Sequence, residues 1–293
     1  MAADTLGVLL SDHHRSRRAT GADLELALAL AETGARLARR RFDQGRLHVS
    51  LKPDGALVSD VDMAVEHEIR ARLELERPDD GVIGEEFGVT GNRRNRWVID
   101  PICGTHNLVR GDPRWAVMVA LEVGGRLEAG VVAAPALGRC WWAARGMGAF
   151  ADGRPMHRRW GSGVAAARLT ARASRELVRL GPAHPLTRHL GGLRVVTSPL
   201  PWPELAVADG SADIDLRLDA RPWELAALGA ILTEAGGAVT DLRGALRIDG
   251  GSALVARAGL HAELLGTAAS RVQGPARTRR AAVGEPTPVA LLG

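Results

Sequence analysis

Two short apolar runs that end directly in carboxylates most constrain the fold of this chain. Gly81 to Gly84 is followed by Glu85-Glu86, and Trp97 to Ile99 is followed by Asp100. Runs of this length between polar residues are typical of buried strands. Side chains at strand ends meet at the mouth of a sheet, where α/β proteins place their ligands. The pattern therefore predicts a layered α/β protein with an acidic site at one edge of a sheet.

Helical patterns alternate with the strand patterns along the chain. An apolar stripe at helical spacing begins at Asp23 and runs to about Phe42. Ser59 and Asp62, three residues apart, predict a capping box that opens a second helix, which ends before Pro78. Residues 222–235 are predicted as a helix with proline at its first position. Strands are predicted at 47–51, 115–123, 127–134, 138–144, 194–197 and 214–218.

These patterns divide the chain into four segments. Residues 1–21 are a loose leader without a sustained period, and residues 22–155 are an α+β lobe that contains the acidic motifs. Residues 156–270 alternate strands and helices and form a second α/β lobe. Residues 271–293, with arginine, glycine and proline throughout, are predicted to be a disordered tail.

Composition excludes several classes of protein. Hydrophobic residues make up 46% and charged residues 25%, as in ordinary globular proteins. The apolar stretches fall short of the roughly 20 residues of a membrane helix. Two cysteines and no secretion-signal pattern predict a cytoplasmic protein. The net charge is only +4, aromatic residues are 3%, and no basic helix face is apparent, so nucleic acid is not an expected partner.

Several carboxylates gathered at one sheet edge repel one another unless a cation neutralises them. Hard oxygen ligands favour magnesium, manganese or calcium. Glu224, which follows Trp223 at the start of a predicted helix, is a further candidate. Two of these acids also have purely structural interpretations. Asp62 closes a capping box, and Glu224 complements a helix N-terminus.

Short motifs in a characteristic order give the most specific signal. They are Ser59 to Asp62, Gly84 to Glu86, Asp100 to Thr105, Gly130 to Pro135, Gly146 to Phe150, Trp223-Glu224 and Glu234 to Gly237. This set resembles the inositol monophosphatase family, and the resemblance covers about residues 22–268. Residues 141–146 are similar to its histidinol-phosphatase-like branch. The resemblance implies a five-layer α-β-α-β-α sandwich that forms a homodimer. It also implies magnesium-dependent hydrolysis of a small phosphomonoester such as histidinol phosphate or an inositol phosphate.

The resemblance also implies roles for individual residues at the metals. The position of Glu85 binds the first metal and helps to orient the attacking water. The position of Asp100 bridges two metals, and the carbonyl group of Ile102 completes the first site. Metals of this kind lower the pKa of water and stabilise both oxygens of an in-line displacement.

A second set of implied roles concerns the phosphate. Thr105 helps to polarise the water, and the amides of Gly104, Thr105 and His106 cradle the phosphate at a helix start. Lys52, the only lysine of the chain, lies where the family often has a lysine near the site entrance. There it attracts the phosphate electrostatically.

The chain departs from the family pattern at the second metal. The family has aspartate at the positions of Cys103 and Glu224, and often Thr, Ser or Lys at the position of His106. A thiol is neutral near pH 7 and is a soft ligand poorly suited to magnesium. Glutamate keeps the charge but reaches one methylene further. We therefore expect a weakened second metal site and impaired phosphatase activity.

Three functions are compatible with these departures. The first is a working phosphatase that uses an altered second site, with manganese or with one tightly bound metal. The second is a pseudophosphatase that binds an anionic small molecule without turnover. The third is a repurposed enzyme in which Cys103 and His106 form an activated thiol, or hold zinc together with Glu85 or Glu224.

Overall fold

The computed structural model describes residues 20–45, 47–156 and 163–269. The predicted tail and nearly all of the predicted leader lie outside these ranges. The leader's last residue, Gly21, is instead the first residue of a helix that Thr20 caps, because the Thr20 side chain accepts a hydrogen bond from the Asp23 amide. In the described residues, no helix is long and apolar enough to cross a bilayer.

The described residues form eight helices and fifteen strands. The helices are α1 Gly21–Gln44, α2 Asp60–Glu76, α3 Thr105–Val109, α4 Ala171–Leu180, α5 Pro185–Leu190, α6 Pro203–Ala208, α7 Pro222–Glu234 and α8 Ala258–Ala269. The strands are β1 Val49–Leu51, β2 Leu57–Ser59, β3 Gly81–Gly84, β4 Gly88–Thr90, β5 Asn95–Cys103, β6 Ala116–Val123, β7 Arg126–Ala134, β8 Arg139–Ala144, β9 Gly148–Ala151, β10 Arg154–Pro155, β11 Arg168–Thr170, β12 Arg194–Val196, β13 Ile214–Arg217, β14 Gly237–Thr240 and β15 Ala253–Arg257.

The first large sheet has eight strands in the order β10-β9-β8-β7-β6-β5-β3-β4. Strands β5 to β9 form an antiparallel meander, which confirms the predicted strands at 115–123, 127–134 and 138–144. Strand β3 pairs in parallel with β5, so that Gly84 lies opposite Ile99. Strand β3 therefore ends beside Ile99 and Asp100 of β5, and β5 continues to Cys103.

The second large sheet has five strands in the order β12-β11-β13-β15-β14. Strand β11 pairs in parallel with both β12 and β13, whereas β15 is antiparallel to its neighbours β13 and β14. The predicted lobe boundary near residue 155 stays a prediction. It falls where β10 ends the first sheet at Pro155 and β11 begins the second at Arg168.

Three apolar clusters hold the layers together. Helices α1 and α2 bury their apolar faces against one side of the first sheet. Helices α6 and α7 lie between the two sheets, and α4, α5 and α8 cover the outer side of the second sheet. The result is an α-β-α-β-α sandwich, which confirms the predicted five layers.

Helix α7 approaches the first sheet very closely. A Cβ atom on Gly130 of β7 would lie 2.6 Å from the carbonyl oxygen of Ala227 and 2.8 Å from the Cβ atom of Ala230. Only glycine permits this contact between strand and helix without a shift of one of them. The contact sets the distance of α7, and therefore of Glu224 in its first turn, from the strands that carry the other acids.

Candidate active site

The parallel pairing of β3 and β5 brings Glu85 and Asp100 together. Glu85 follows the last residue of β3, and Asp100 follows Ile99, which is the partner of Gly84. Asp100 is 1% exposed, and its Oδ1 atom has no hydrogen-bond partner among the described residues. The convergence predicted from two acid-terminated apolar runs is therefore present in the structure.

Asp62 joins this group through the start of α2. Its Oδ2 atom accepts hydrogen bonds from the backbone and the hydroxyl group of Ser59, which is the predicted capping box. Its Oδ1 atom accepts a hydrogen bond of 2.8 Å from the Thr105 hydroxyl, whose oxygen also lies 3.1 Å from the Ile102 carbonyl oxygen. The capping interpretation of Asp62 is confirmed for one carboxylate oxygen, and the other oxygen contacts Thr105, so a role of Asp62 in the site stays a prediction.

Glu224 reaches the same region from the first turn of α7. Its charge acts on Glu85 and on Asp100, and it raises the pKa of both. Burial is the larger cause of the raised pKa at Glu85, at Asp100 and at Asp62. Carboxylates that are buried beside one another favour a proton or a cation, which is the electrostatic condition for a metal site.

Lys52 already supplies one positive charge to these acids. Its Nζ atom lies 2.8 Å from Glu85 Oε1 and 2.8 Å from Glu86 Oε1. Burial opposes the ammonium charge, but the hydrogen bonds and charges of the two glutamates outweigh it and raise the pKa of Lys52. Burial in turn raises the pKa of Glu86 to about 7, although Lys52 acts in the opposite direction.

Arg217 forms a second ion pair inside the site. Its guanidinium donates a hydrogen bond to Glu224 Oε1, while Glu224 Oε2 accepts one of 3.2 Å from the backbone amide of Arg221. The carboxylate of Glu224 is 23% exposed and faces a cation of the protein itself. Both carboxylate oxygens of Glu224 therefore already accept hydrogen bonds from the protein.

Cys103 lies at the end of β5, beyond a register shift that separates it from Asp100. Burial raises the pKa of its thiol well above the ordinary value, and the charges of Asp100 and Glu224 act in the same direction. Trp202 and Arg217 oppose this shift but do not offset it. The thiol is therefore neutral at pH 7, and its surroundings disfavour the activated thiolate that the repurposed-enzyme hypothesis requires.

His106 is exposed at the second position of α3. It is not among the groups that act most strongly on the pKa of Cys103. The hypothesis that a histidinium at this position lowers the thiol pKa thus finds no support in the geometry. Sequence spacing suggested the pair because the two residues are three apart, but the thiol points among acids whereas the imidazole faces solvent.

Gly104 is the N-cap of helix α3, and its φ of 101° lies in the left-handed region that favours glycine. The first helical hydrogen bonds run from Asn107 and Leu108 to the carbonyl oxygen of Gly104. The amides of Thr105 and His106 precede these bonds, so they have no partner within the helix. Amides of this kind at a helix start suit an anionic oxygen.

The structure also adds residues that the sequence did not single out. Glu66 is fully buried on α2, and its carboxylate accepts hydrogen bonds from the backbone amides of Glu86 (2.7 Å) and Phe87 (3.1 Å). A Cβ atom on Gly84 would lie 1.9 Å from Glu66 Oε1, so this clamp requires glycine there. The available signal was the spacing of Glu66 four residues after Asp62, which places both acids on one helix face.

Of the two metal positions that the family resemblance implies, only the first has donor atoms that fit a hard divalent cation. The partnerless Asp100 Oδ1, the nearby Glu85 carboxylate and the Ile102 carbonyl oxygen are hard ligands. At the second position, a neutral thiol and a glutamate paired with arginine do not match magnesium. The described residues contain no group of three or more His, Cys, Asp or Glu side chains that could hold a metal ion, and Lys52 and Arg217 form ion pairs with Glu85 and Glu224.

Comparisons with known proteins agree with this architecture. The chain is 43% identical over 254 residues to a histidinol-phosphatase from Mycobacterium tuberculosis, an alignment that covers 83% of this chain and 96% of the relative. It is 42% identical over 257 residues to a histidinol-phosphatase from Streptomyces coelicolor, with 83% and 96% covered. The crystal structure of the extragenic suppressor protein suhB from Bartonella henselae matches with a TM-score of 0.71 at 25% identity, over 85% of this chain and 99% of that chain. A model of the inositol monophosphatase family matches residues 22–274. On these grounds the chain belongs to the inositol monophosphatase family.

Proposed function

We propose that this chain is a metal-dependent phosphomonoesterase that acts on a small phosphorylated metabolite. One observation carries the proposal: buried carboxylates converge where β3 ends beside Asp100 of β5, and one of them, Asp62, accepts a hydrogen bond from Thr105 at the start of α3. Carboxylates for a cation and amides for a phosphoryl group thus lie next to each other. Family membership and two histidinol-phosphatases above 40% identity support the same reaction class.

Glu85, Asp100 and the Ile102 carbonyl group would hold the cation, with magnesium preferred by this oxygen donor set. When bound, a divalent cation lowers the pKa of water and stabilises developing charge on the phosphoryl oxygens. Thr105 orients the nucleophilic water, since its hydroxyl already donates to Asp62 and is held in place. The amides of Thr105 and His106 position the phosphate, and Lys52 attracts it.

A phosphate-release assay tests the proposal. Histidinol phosphate and inositol 1-phosphate are offered with magnesium and then with manganese, because the relatives and the family point to these substrates. Wild type is compared with the double variant Cys103→Asp, Glu224→Asp, and with Asp100→Asn as the inactive control. We expect turnover by wild type and a higher rate in the double variant, since an aspartate at position 103 supplies a hard ligand. Absence of turnover in both enzymes on every phosphate ester offered would contradict the proposal.

A non-catalytic binding protein is the second candidate, and the Arg217–Glu224 pair favours it. This pair places a permanent cation beside a ligand position of the second metal. A binding protein would be stabilised by a phosphate ester without releasing phosphate. Under this alternative only the double variant turns substrate over.

A thiol enzyme would behave differently in the same comparison. Its activity would be abolished by Cys103→Asp, and Cys140→Asp would serve as the matched control.

The assembly is part of the same proposal. We propose a cytoplasmic homodimer, as the family resemblance implies. Light scattering of the purified chain measures the mass in solution directly, and a value near 31.0 kDa rather than twice that would contradict the dimer.

A further inference from the structure

A cleft lined by arginine side chains lies in the second half of the molecule. This arginine cleft has a volume of about 370 Å³, and Arg114, Arg172 and Arg175 line it. The hydroxyl groups of Thr197 and Ser198 add hydrogen-bond capacity. No carboxylate belongs to its lining in the described part of the chain.

The arginine cleft begins where the candidate phosphate cradle ends. The carbonyl oxygen of Arg114 accepts a hydrogen bond of 2.7 Å from the side chain of Asn107 in α3, the helix whose first amides face the site. On the other side, Leu200, Pro201 and Pro203 line the cleft, and the intervening Trp202 acts on the thiol of Cys103. A ligand whose phosphate lies on α3 would extend its organic part into this cleft.

Two of these arginines pair with carboxylates that do not belong to the cleft lining. The guanidinium of Arg172 bonds to Glu204 and Asp215, which are both buried. That of Arg114 pairs with Asp112 at its side. Arg175 is exposed, and within the described ranges it makes no ion pair. The charged side chains in the cleft lining are therefore all arginines, and the charge of Arg175 is not balanced by an ion pair among the described residues.

Helix α4, which supplies part of the cleft lining, also favours an anionic ligand. Helix α4 has ten residues, carries no acidic residue in its first turn, and presents its first residues, Ala171 and Arg172, to the cleft. Guanidinium groups bind phosphate and carboxylate through paired donors, and they repel ammonium groups. The charge of the cleft thus selects against a cationic organic group at this place.

We propose that the substrate is a phosphate ester whose organic part carries a second anionic group, a phosphate or a carboxylate, which binds in the arginine cleft. This inference rests on the proposed function, because it assigns the organic part of the same substrate. It separates this chain from an enzyme that recognises the ammonium and imidazole groups of histidinol phosphate.

Matched six-carbon substrates test the inference. Initial rates of phosphate release are measured with glucose 6-phosphate, 6-phosphogluconate, glucose 1,6-bisphosphate and histidinol phosphate. We expect kcat/KM for one or both doubly anionic substrates to exceed that for glucose 6-phosphate by about tenfold, the effect of one charge-assisted hydrogen bond. The substrate that shows the gain distinguishes carboxylate from phosphate. Histidinol phosphate is expected to fall below glucose 6-phosphate.

The variant Arg175→Gln should bring the ratio of kcat/KM between the substrates with a second anionic group and glucose 6-phosphate close to one. Arg188→Gln is the matched control, since Arg188 is also exposed in the same half of the chain but lies outside the cleft. It should leave the ratio unchanged. A ratio near one in wild type, or a high ratio that Arg175→Gln does not lower, would overturn the inference.

If no ester is hydrolysed, the proposed function fails and binding decides the inference. Calorimetry then compares glucose 1,6-bisphosphate with glucose 6-phosphate on wild type and on Arg175→Gln. Tighter binding of the bisphosphate that depends on Arg175 supports the anion site even in a protein without turnover. Equal binding of both sugars, or a preference that survives Arg175→Gln, overturns it.

Discussion

Among single residues, Thr105 links the cap of one helix to the start of another. Its hydroxyl donates to Asp62, which also caps α2, and it begins α3 beside the acids of β3 and β5. Burial raises the pKa of Asp62, and each hydrogen bond that it accepts acts in the opposite direction and favours the ionised carboxylate. Thr105 therefore serves both the stability of this junction and the orientation of a water molecule.

Replacement of this hydroxyl should separate the two roles. We expect Thr105→Val to lower kcat for phosphate release by about tenfold or more, because the water loses an oriented partner. The free energy of unfolding should fall by about 1–2 kcal/mol. The control Thr187→Val removes a hydroxyl that donates to the Leu177 carbonyl oxygen at 3.0 Å, far from the acids. A comparable loss of kcat in the control would show that the effect of Thr105→Val is only structural.

Residue patterns predicted part of this site but not all of it. Glu85 and Asp100 were predictable because two apolar runs are followed by acids, although β5 continues past Asp100 to Cys103 and does not end there. The pairing of Arg217 with Glu224 was not, since residues 214–218 read as an ordinary strand. The partners of a charged residue in a strand come from elements that are distant in the sequence, so the local pattern does not identify them. Arg217 shows this, because Glu204 and Arg172 also act on its pKa.

At the level of secondary-structure elements, the turn after β3 depends on α2. The Glu66 carboxylate accepts hydrogen bonds from the backbone amides of Glu86 and Phe87, and it also forms an ion pair of 2.8 Å with Arg70. A hydrogen-bonded turn of this kind holds the side chain of Glu85 toward Asp100. The interaction crosses about twenty residues of sequence, so local propensity gives no indication of it.

The variant Glu66→Gln should loosen this turn. An amide nitrogen would face a backbone N–H in place of an acceptor, so at least one hydrogen bond is lost at a buried position. We expect the free energy of unfolding to fall by about 1–3 kcal/mol and kcat to fall with it. Glu68→Gln, on the exposed side of the same helix, is the control and should change neither quantity. Chemical denaturation and phosphate release measure the two effects.

The close contact between β7 and α7 leads to a second prediction, which concerns the stability of the fold. In Gly130→Ala the new methyl group meets the Ala227 carbonyl oxygen and the Ala230 side chain, so α7 must shift. We expect a loss of about 1–3 kcal/mol in the free energy of unfolding. Gly259→Ala in α8 is the matched control, since a Cβ atom there meets nothing within 4 Å. An unchanged melting temperature in Gly130→Ala would contradict the close packing of strand and helix.

Over the whole molecule, the acids of the site make folding depend on pH. Glu86 has a pKa of about 7 in the folded chain, against 4.5 ordinarily, and the pKa values of Asp62, Glu85 and Asp100 are also raised. At a pH between the ordinary pKa of each acid and its raised pKa in the folded chain, the folded chain keeps a proton that the unfolded chain has lost. The metal-free protein should therefore become less stable as the pH rises from about 5 to about 8.

A cation should reverse this loss, because it binds the ionised carboxylates of the folded chain. Magnesium is therefore expected to raise the melting temperature by about 5 °C at pH 8, and by much less at pH 5, where protons compete for the same oxygens. Asp100→Asn should abolish the increase, whereas Asp249→Asn, at an exposed acid paired with Arg247, should retain it. Calorimetric scans at both pH values measure the shifts. An equal increase at pH 5 and pH 8, or an increase that survives Asp100→Asn, would place the magnesium elsewhere than on the acids that β3 and β5 bring together.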